Sequence, residues 1–220
     1  MASGAGGVFG SGFDLKWYAA ARRGEASTPT DAPDGAHSMG PTRIILDKPV
    51  IAAVEDSAVA GGLELACWCD MRVAARDAVF GVYCRRWGMP LADGGTVRLT
   101  RIVGQAHALD MILTGRGVSG EEALGMGLVQ RLTEPGAALE TAVALARDIA
   151  GFPQGALRCD RRSALEQWGL PELEAVTNEV DRAMVVYEND PVAHEQGVKV
   201  FEAGGGRHGR HADGRKMSEL

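Results

Sequence analysis

Between residues 48 and 133 the chain alternates short apolar runs with longer stretches whose apolar positions recur at helical spacing. Runs at 49–54, 71–75 and 128–132 predict strands. Segments 61–69, 94–103, 105–113 and 120–126 predict helices. Such alternation predicts an α/β fold, a parallel sheet with helical crossovers. Ser119 and Glu122 make a capping box for the 120–126 helix, and Gly127 is its stop signal. Beyond 137 the pattern is purely helical. Leu139, Val143, Ala146 and Ile149 mark one apolar stripe; Leu173, Val176, Val180, Met184 and Tyr187 mark another.

Residues 19–43 are rich in Ala, Gly and charge and carry Pro29, Pro33 and Pro41, so they read as a mobile loop. The tail from Gly204 is glycine-rich and polar and reads as disordered, with His208 and His211 solvated. The division that follows is an α/β core over 1–135, a helical region over 136–203 and a tail over 204–220.

Composition narrows the partners. At 45% hydrophobic residues, 220 residues can bury a substantial core. A net charge of −6 argues against a nucleic-acid or anionic-membrane surface. No apolar run approaches the roughly 18 residues of a membrane span, and the first residues lack the basic and apolar regions of a signal peptide. Cys67, Cys69, Cys84 and Cys159 form no disulfide or zinc pattern, which fits a reducing cytoplasm.

Gly61-Gly62-Leu63-Glu64-Leu65 follows the apolar run 48–54 and opens a helix. A glycine pair at such a junction leaves N–H groups bare at the positive end of the helix dipole, where an oxygen gaining negative charge can be held. Glu64, one turn in, is placed to move a proton beside that oxygen, or else is a solvated first-turn carboxylate. Val8-Phe-Gly-Ser-Gly-Phe-Asp-Leu-Lys16 is a second apolar-to-glycine corner, able to present the N–H of Phe13. Two corners can aim two donors at one carbonyl oxygen.

With these corners go Ala58-Val-Ala-Gly-Gly-Leu-Glu-Leu65, Cys69-Asp70, Val73-Ala74-Ala75, Phe80-Gly81, Asp93-Gly-Gly-Thr-Val-Arg-Leu-Thr-Arg-Ile-Val-Gly104, Leu113-Thr-Gly115, Glu122-Ala123 and Gly127-Leu-Val129. Together they resemble the crotonase superfamily, the enoyl-CoA hydratases and isomerases, over residues 8 to 203. The resemblance implies a spiral of ββα units with a helical C-terminal region. It implies an acyl-CoA substrate, a homotrimer or dimer of trimers, and a lyase or isomerase of fatty acid metabolism in the cytoplasm. No cofactor or metal is implied beyond the coenzyme A of the substrate. The family usually carries roughly 45 further residues before the first corner, so a shortened relative is expected to expose a sheet edge.

Residue by residue, the resemblance implies an oxyanion hole from the backbone N–H groups of Phe13 and Gly61. Asp14, Leu15 and Lys16 fall in the segment that follows the CoA, although a solvated Lys16 reads equally well. Glu64 takes the first of the two glutamate positions of the hydratases. An ungapped match puts Cys84 at the second, where a neutral thiol orients water poorly. Asp93 either supplies the missing carboxylate or caps the helix that begins at Gly94. Arg85 and Arg86 pair with Asp93, receive an acidic acyl group, or lie on the surface; His107 reads as structural. Asp56 and Ala60 stand where glycines are usual. Hydration is the expected reaction. The alternatives are isomerisation with Glu64 alone, or a non-catalytic subunit that binds acyl-CoA.

Overall fold

The computed structural model describes residues 1–26 and 40–206. The middle of the expected loop, 27–39, and the tail from 207 with both its histidines lie outside the described residues. The chain divides into two compact units, one of Met1–Leu46 with Val50–Ala146 and one of Asp47–Pro49 with Arg147–Leu220.

The first unit is built on two small sheets. Strands β1 (Ala2–Ser3), β2 (Ile51–Val54), β4 (Met71–Ala75) and β7 (Arg131–Thr133) form an all-parallel sheet in the order β1-β2-β4-β7. Ile51 faces Met71 across the β2–β4 ladder, and all of β2 is buried, as the unbroken apolar run requires. The other sheet orders β3 (Ser57–Val59), β5 (Val79–Gly81) and β6 (Gly117–Ser119), with β5 and β6 antiparallel. Parallel β-strands, right-sized helices and their alternation make the α/β class plain.

Helix α2 (Gly61–Trp68) runs through the middle of this unit. Gly62, Leu63, Glu64, Ala66 and Cys67 are all buried, so the helix is covered on nearly every side. Arg72 on β4 is buried too, and its guanidinium donates to the carbonyls of Ala66, Cys69 and Leu128, tying the end of α2 to the approach to β7. Helix α3 (Gly95–Thr114) is broken at Gly104, with φ 76° and ψ 162°, which divides it where the sequence predicts two helices. The Ser119 hydroxyl accepts from the Glu122 N–H at the start of α4 (Gly120–Gly125). The Glu122 carboxylate pairs with Arg116.

The expected loop at 19–43 needs correction at both ends. Residues 19–22 belong to α1 (Leu15–Arg22), which Asp14 caps by accepting from the N–H groups of Lys16 and Trp17 at 2.9 and 3.0 Å. At the other end, Gly40–Arg43 is a 3-10 turn with Thr42 fully buried. The stripe of α5 (Ala138–Ala150) is also rotated: Ala138, Ala142 and Leu145 are the buried residues, whereas Leu139 is exposed. Alanines let that helix approach closely, and the carboxylate of Glu55 fixes its start by accepting from the N–H groups of Gly136 and Ala138.

In the second unit α6 (Gln154–Glu166) packs on α7 (Glu172–Asn189), joined by Glu166 accepting from both Arg162 and Arg182; α8 (Pro191–Glu202) follows. Leu173, Val176, Val180, Met184 and Tyr187 of α7 are all exposed in the single chain.

Candidate active site

The two glycine corners meet. Gly10 forms a parallel bridge with Ala58, accepting from the N–H of Val59 at 2.9 Å and donating to the carbonyl of Ser57 at 3.0 Å. This seats the first corner on the start of α2. A Cβ on Gly62 would lie 2.0 Å from the Gly10 carbonyl oxygen, and one on Gly12 would lie 2.6 Å from the Gly61 nitrogen. Only glycine fits at either place, and Gly12 also has φ +84°. Phe13 follows Gly12 directly, and its ring sits edge-on to Trp17 and Tyr18 of α1.

Between β3 and α2 the chain turns at Ala60, with φ 52° and ψ −124°. Those angles are those of a glycine position in a tight turn, and a side chain there costs about 1–3 kcal/mol. The Ala60 N–H donates to the Gly81 carbonyl and its own carbonyl accepts from Glu64, so the strained residue is held from both sides. Gly61 follows as the first residue of α2, where a helix has N–H groups without intrahelical acceptors.

A cavity of about 380 Å³ opens against these corners, lined by Phe13, Leu15, Gly61, Glu64, Cys84 and Asp93 together with Tyr83, Trp87 and Met89. The sequence places Phe13, Gly61, Glu64, Cys84 and Asp93 in four separate segments, and the fold brings all of them to one chamber. Asp14 and Lys16 do not line it: Asp14 is occupied as the cap of α1, and Lys16 is exposed.

Glu64 is 3% exposed, not solvated. Its Oε1 accepts from the N–H groups of Asp93 and Gly95, both at 2.8 Å. The carboxylate of α2 thus caps α3 from outside, since α3 has no acidic residue in its own first turn. Burial raises the Glu64 pKa, the two N–H donors pull the other way, and the negative charge of Asp93 adds to the rise. The carboxyl group is therefore held in one orientation and is a stronger base than a free glutamate.

Asp93 is 4% exposed, with the Thr42 hydroxyl 3.4 Å from its Oδ1. The N-cap of α3 is Gly94, in the left-handed region, so the helix starts one residue later than expected. Cys84 lies on a 3-10 turn, Tyr83–Trp87, where burial and then the Glu64 charge push its thiol up. It stays neutral at pH 7 and offers no second carboxylate. Arg85 and Arg86 turn to the far end of α3, where they donate to the carbonyls of Ile112 and Gly115. Arg86 also stacks 3.6 Å over the Tyr83 ring. His107 is exposed on α3.

Arg98 and Thr42 carry no assignment from the sequence, yet both reach this region. Arg98 donates to the carbonyl of Asp93 at 2.9 Å and to that of Thr42 at 2.6 Å. One signal was available: a cation in the first turn of a helix opposes the dipole and needs a local reason. Among the described residues no cluster of His, Cys, Asp and Glu could hold a metal ion, and no helix is long and apolar enough to cross a membrane.

Residues 1–202 match the family model for enoyl-CoA hydratase/isomerase. The chain is 35% identical over 206 residues to enoyl-CoA hydratase EchA19 of Mycobacterium tuberculosis, covering 90% of this chain and 74% of that protein. It is 38% identical over 119 residues to the short-chain-enoyl-CoA hydratase of Clostridium acetobutylicum, where the match spans 54% of this chain and 46% of the relative. The crystal structure of enoyl-CoA hydratase EchA1 from Mycobacterium marinum superposes with a TM-score of 0.81 at 35% identity, over 92% of this chain and 76% of that one. The chain belongs to the enoyl-CoA hydratase/isomerase family.

Proposed function

We propose that the protein is an acyl-CoA enzyme of the hydratase type, adding water across the double bond of a 2-enoyl thioester. The observation that carries this reading is the shared chamber. A buried, oriented carboxylate, Glu64, stands beside two N-terminal backbone corners at Phe13 and Gly61. In the proposed reaction the thioester oxygen lies between those N–H groups, and charge builds on it as the hydroxyl adds to C3. Each such donor is typically worth ~10²–10³ in rate. Glu64 takes a proton from the incoming water or returns one to C2, and Asp93 is the available second carboxylate. Leu15 faces the thioester end of the substrate, with Asp14 and Lys16 farther along the CoA.

Cys84 favours a second reading within the same chemistry. A neutral thiol cannot orient water as a carboxylate does, whereas Glu64 alone can take a proton from C2 and deliver it to C4, moving the double bond. The experiment assays hydration of a short trans-2-enoyl-CoA beside migration of a 3-enoyl double bond, in wild type and in Cys84→Glu. Hydration that rises in Cys84→Glu supports the placement of Cys84 at the water site. A folded, CoA-binding Cys84→Glu with no gain contradicts that placement, and CoA binding without either wild-type activity favours a non-catalytic subunit. The free cysteines support a cytoplasmic setting, and the exposed apolar face of α7 supports a homotrimer or dimer of trimers.

A further inference from the structure

We infer that Arg98 is a positioning residue for Glu64, clamping the turn whose N–H groups hold the carboxylate to the buried Thr42. The inference rests on the assignment of Glu64 as the proton-transfer group. Glu64 Oε1 accepts from the N–H groups of Asp93 and Gly95, so the orientation of the carboxylate follows that of the 93–95 turn. Arg98 seizes this turn one helical turn downstream, through the carbonyl of Asp93. Its other arm reaches across 56 residues of sequence to the Thr42 carbonyl, and the Thr42 hydroxyl faces Asp93 Oδ1. Thr42 is fully buried, which makes it a firm anchor.

The clamp has an electrostatic consequence as well. The titratable and charged groups facing Glu64 are Asp93 from the turn before α3, Arg98 from α3, Cys84 from the 3-10 turn and Cys67 from α2 itself. Arg98 is the cation of that set, and it is half-buried, where screening by water is weak. Its charge and its hold on the N–H donors act in the same direction, each favouring the ionised carboxylate against the burial and the Asp93 charge that oppose it. A cation at the positive end of the α3 dipole is unfavourable in isolation, and here two carbonyls and two carboxylates surround it.

The test is the titration of Glu64 itself, followed by carboxyl carbon NMR in protein labelled at the glutamate side chain, with Glu64→Gln identifying the signal. In Arg98→Met the Glu64 midpoint is expected to rise, and in Arg98→Lys to return toward wild type. Arg98→Gln, which keeps one donor, replaces the methionine variant if that variant does not fold, and the same rise is expected. With an enoyl-CoA substrate, kcat falls roughly 10- to 100-fold, the expected penalty for a misplaced reacting group. KM holds within a few-fold, and the acid limb of the rate moves with the NMR midpoint. A Glu64 midpoint that stays put or falls in a folded Arg98 variant overturns the inference. A wild type without turnover whose Glu64 midpoint still rises on substitution would instead defeat the proposed reaction and leave the clamp standing.

Discussion

Gly62→Ala places a methyl group where the Gly10 carbonyl now lies. The added Cβ would sit 2.0 Å from that oxygen and 2.5 Å from its carbon, with backbone on both sides of the clash. A carbon–oxygen contact needs about 3.3 Å, so one corner must retreat by roughly 1.3 Å. The Gly10 corner cannot retreat without loosening the bonds from Val59 and to Ser57, each worth about 1 kcal/mol net. Forcing a methyl into close packing adds about 1–3 kcal/mol. The total, about 3–5 kcal/mol, is a large fraction of the 5–15 kcal/mol that usually holds a domain. Gly10→Ala is the internal control, because its Cβ would meet the Gly62 Cα at 3.3 Å, a squeeze rather than a collision. Urea unfolding followed by circular dichroism measures both. A Gly62→Ala midpoint within about 1 kcal/mol of wild type, or no worse than Gly10→Ala, would refute the close approach of the corners.

Ala60→Gly relieves the positive φ, about 1–3 kcal/mol, against roughly 0.4–1 kcal/mol of extra chain entropy and about 0.8 kcal/mol for the lost methyl. A net gain of about 0.5 kcal/mol is expected in the same unfolding assay, and a clear loss would mean that the turn is not strained. The pKa of Glu64 gives a pH dependence with a definite sign. Its folded value is raised, so its contribution to stability is intact below the unfolded carboxylate range and is lost as pH rises through the folded pKa. Glu64→Gln, which cannot ionise, is therefore expected to lose less stability than wild type over that interval. If Glu64 works as a base, the acid limb of kcat/KM lies above the ordinary glutamate value, and a limb below it counts against that role.

The sequence revealed most where a pattern ran long or where a residue type had one explanation. The buried runs of β2 and β4, the glycine break of α3 and the Ser119 cap are of that kind. Strands β3, β5 and β6 are three residues each, too short for a period to register, and their pairing depends on partners far along the chain. Helix α1 was hidden by the alanine, glycine and proline content that follows it, although Asp14 carries its cap. The buried face of α5 was set by what the alanines approach, which no helical stripe records. At the site, Glu64 and the glycine corners were legible because few residue types can serve there. The network of Arg98, Thr42 and the 93–95 turn was not, since it joins backbone carbonyls that every residue possesses.

Glu64→Gln isolates the proton-transfer role of Glu64, because the amide keeps the size and a hydrogen-bonding oxygen for the Asp93 and Gly95 donors while removing the base. CoA binding by calorimetry and turnover of a short trans-2-enoyl-CoA and its 3-enoyl isomer are measured on the same preparation. The variant is expected to fold, to bind CoA as wild type does and to turn over at least ~10²-fold more slowly in whichever reaction wild type performs. Turnover equal to wild type in that variant would contradict the role.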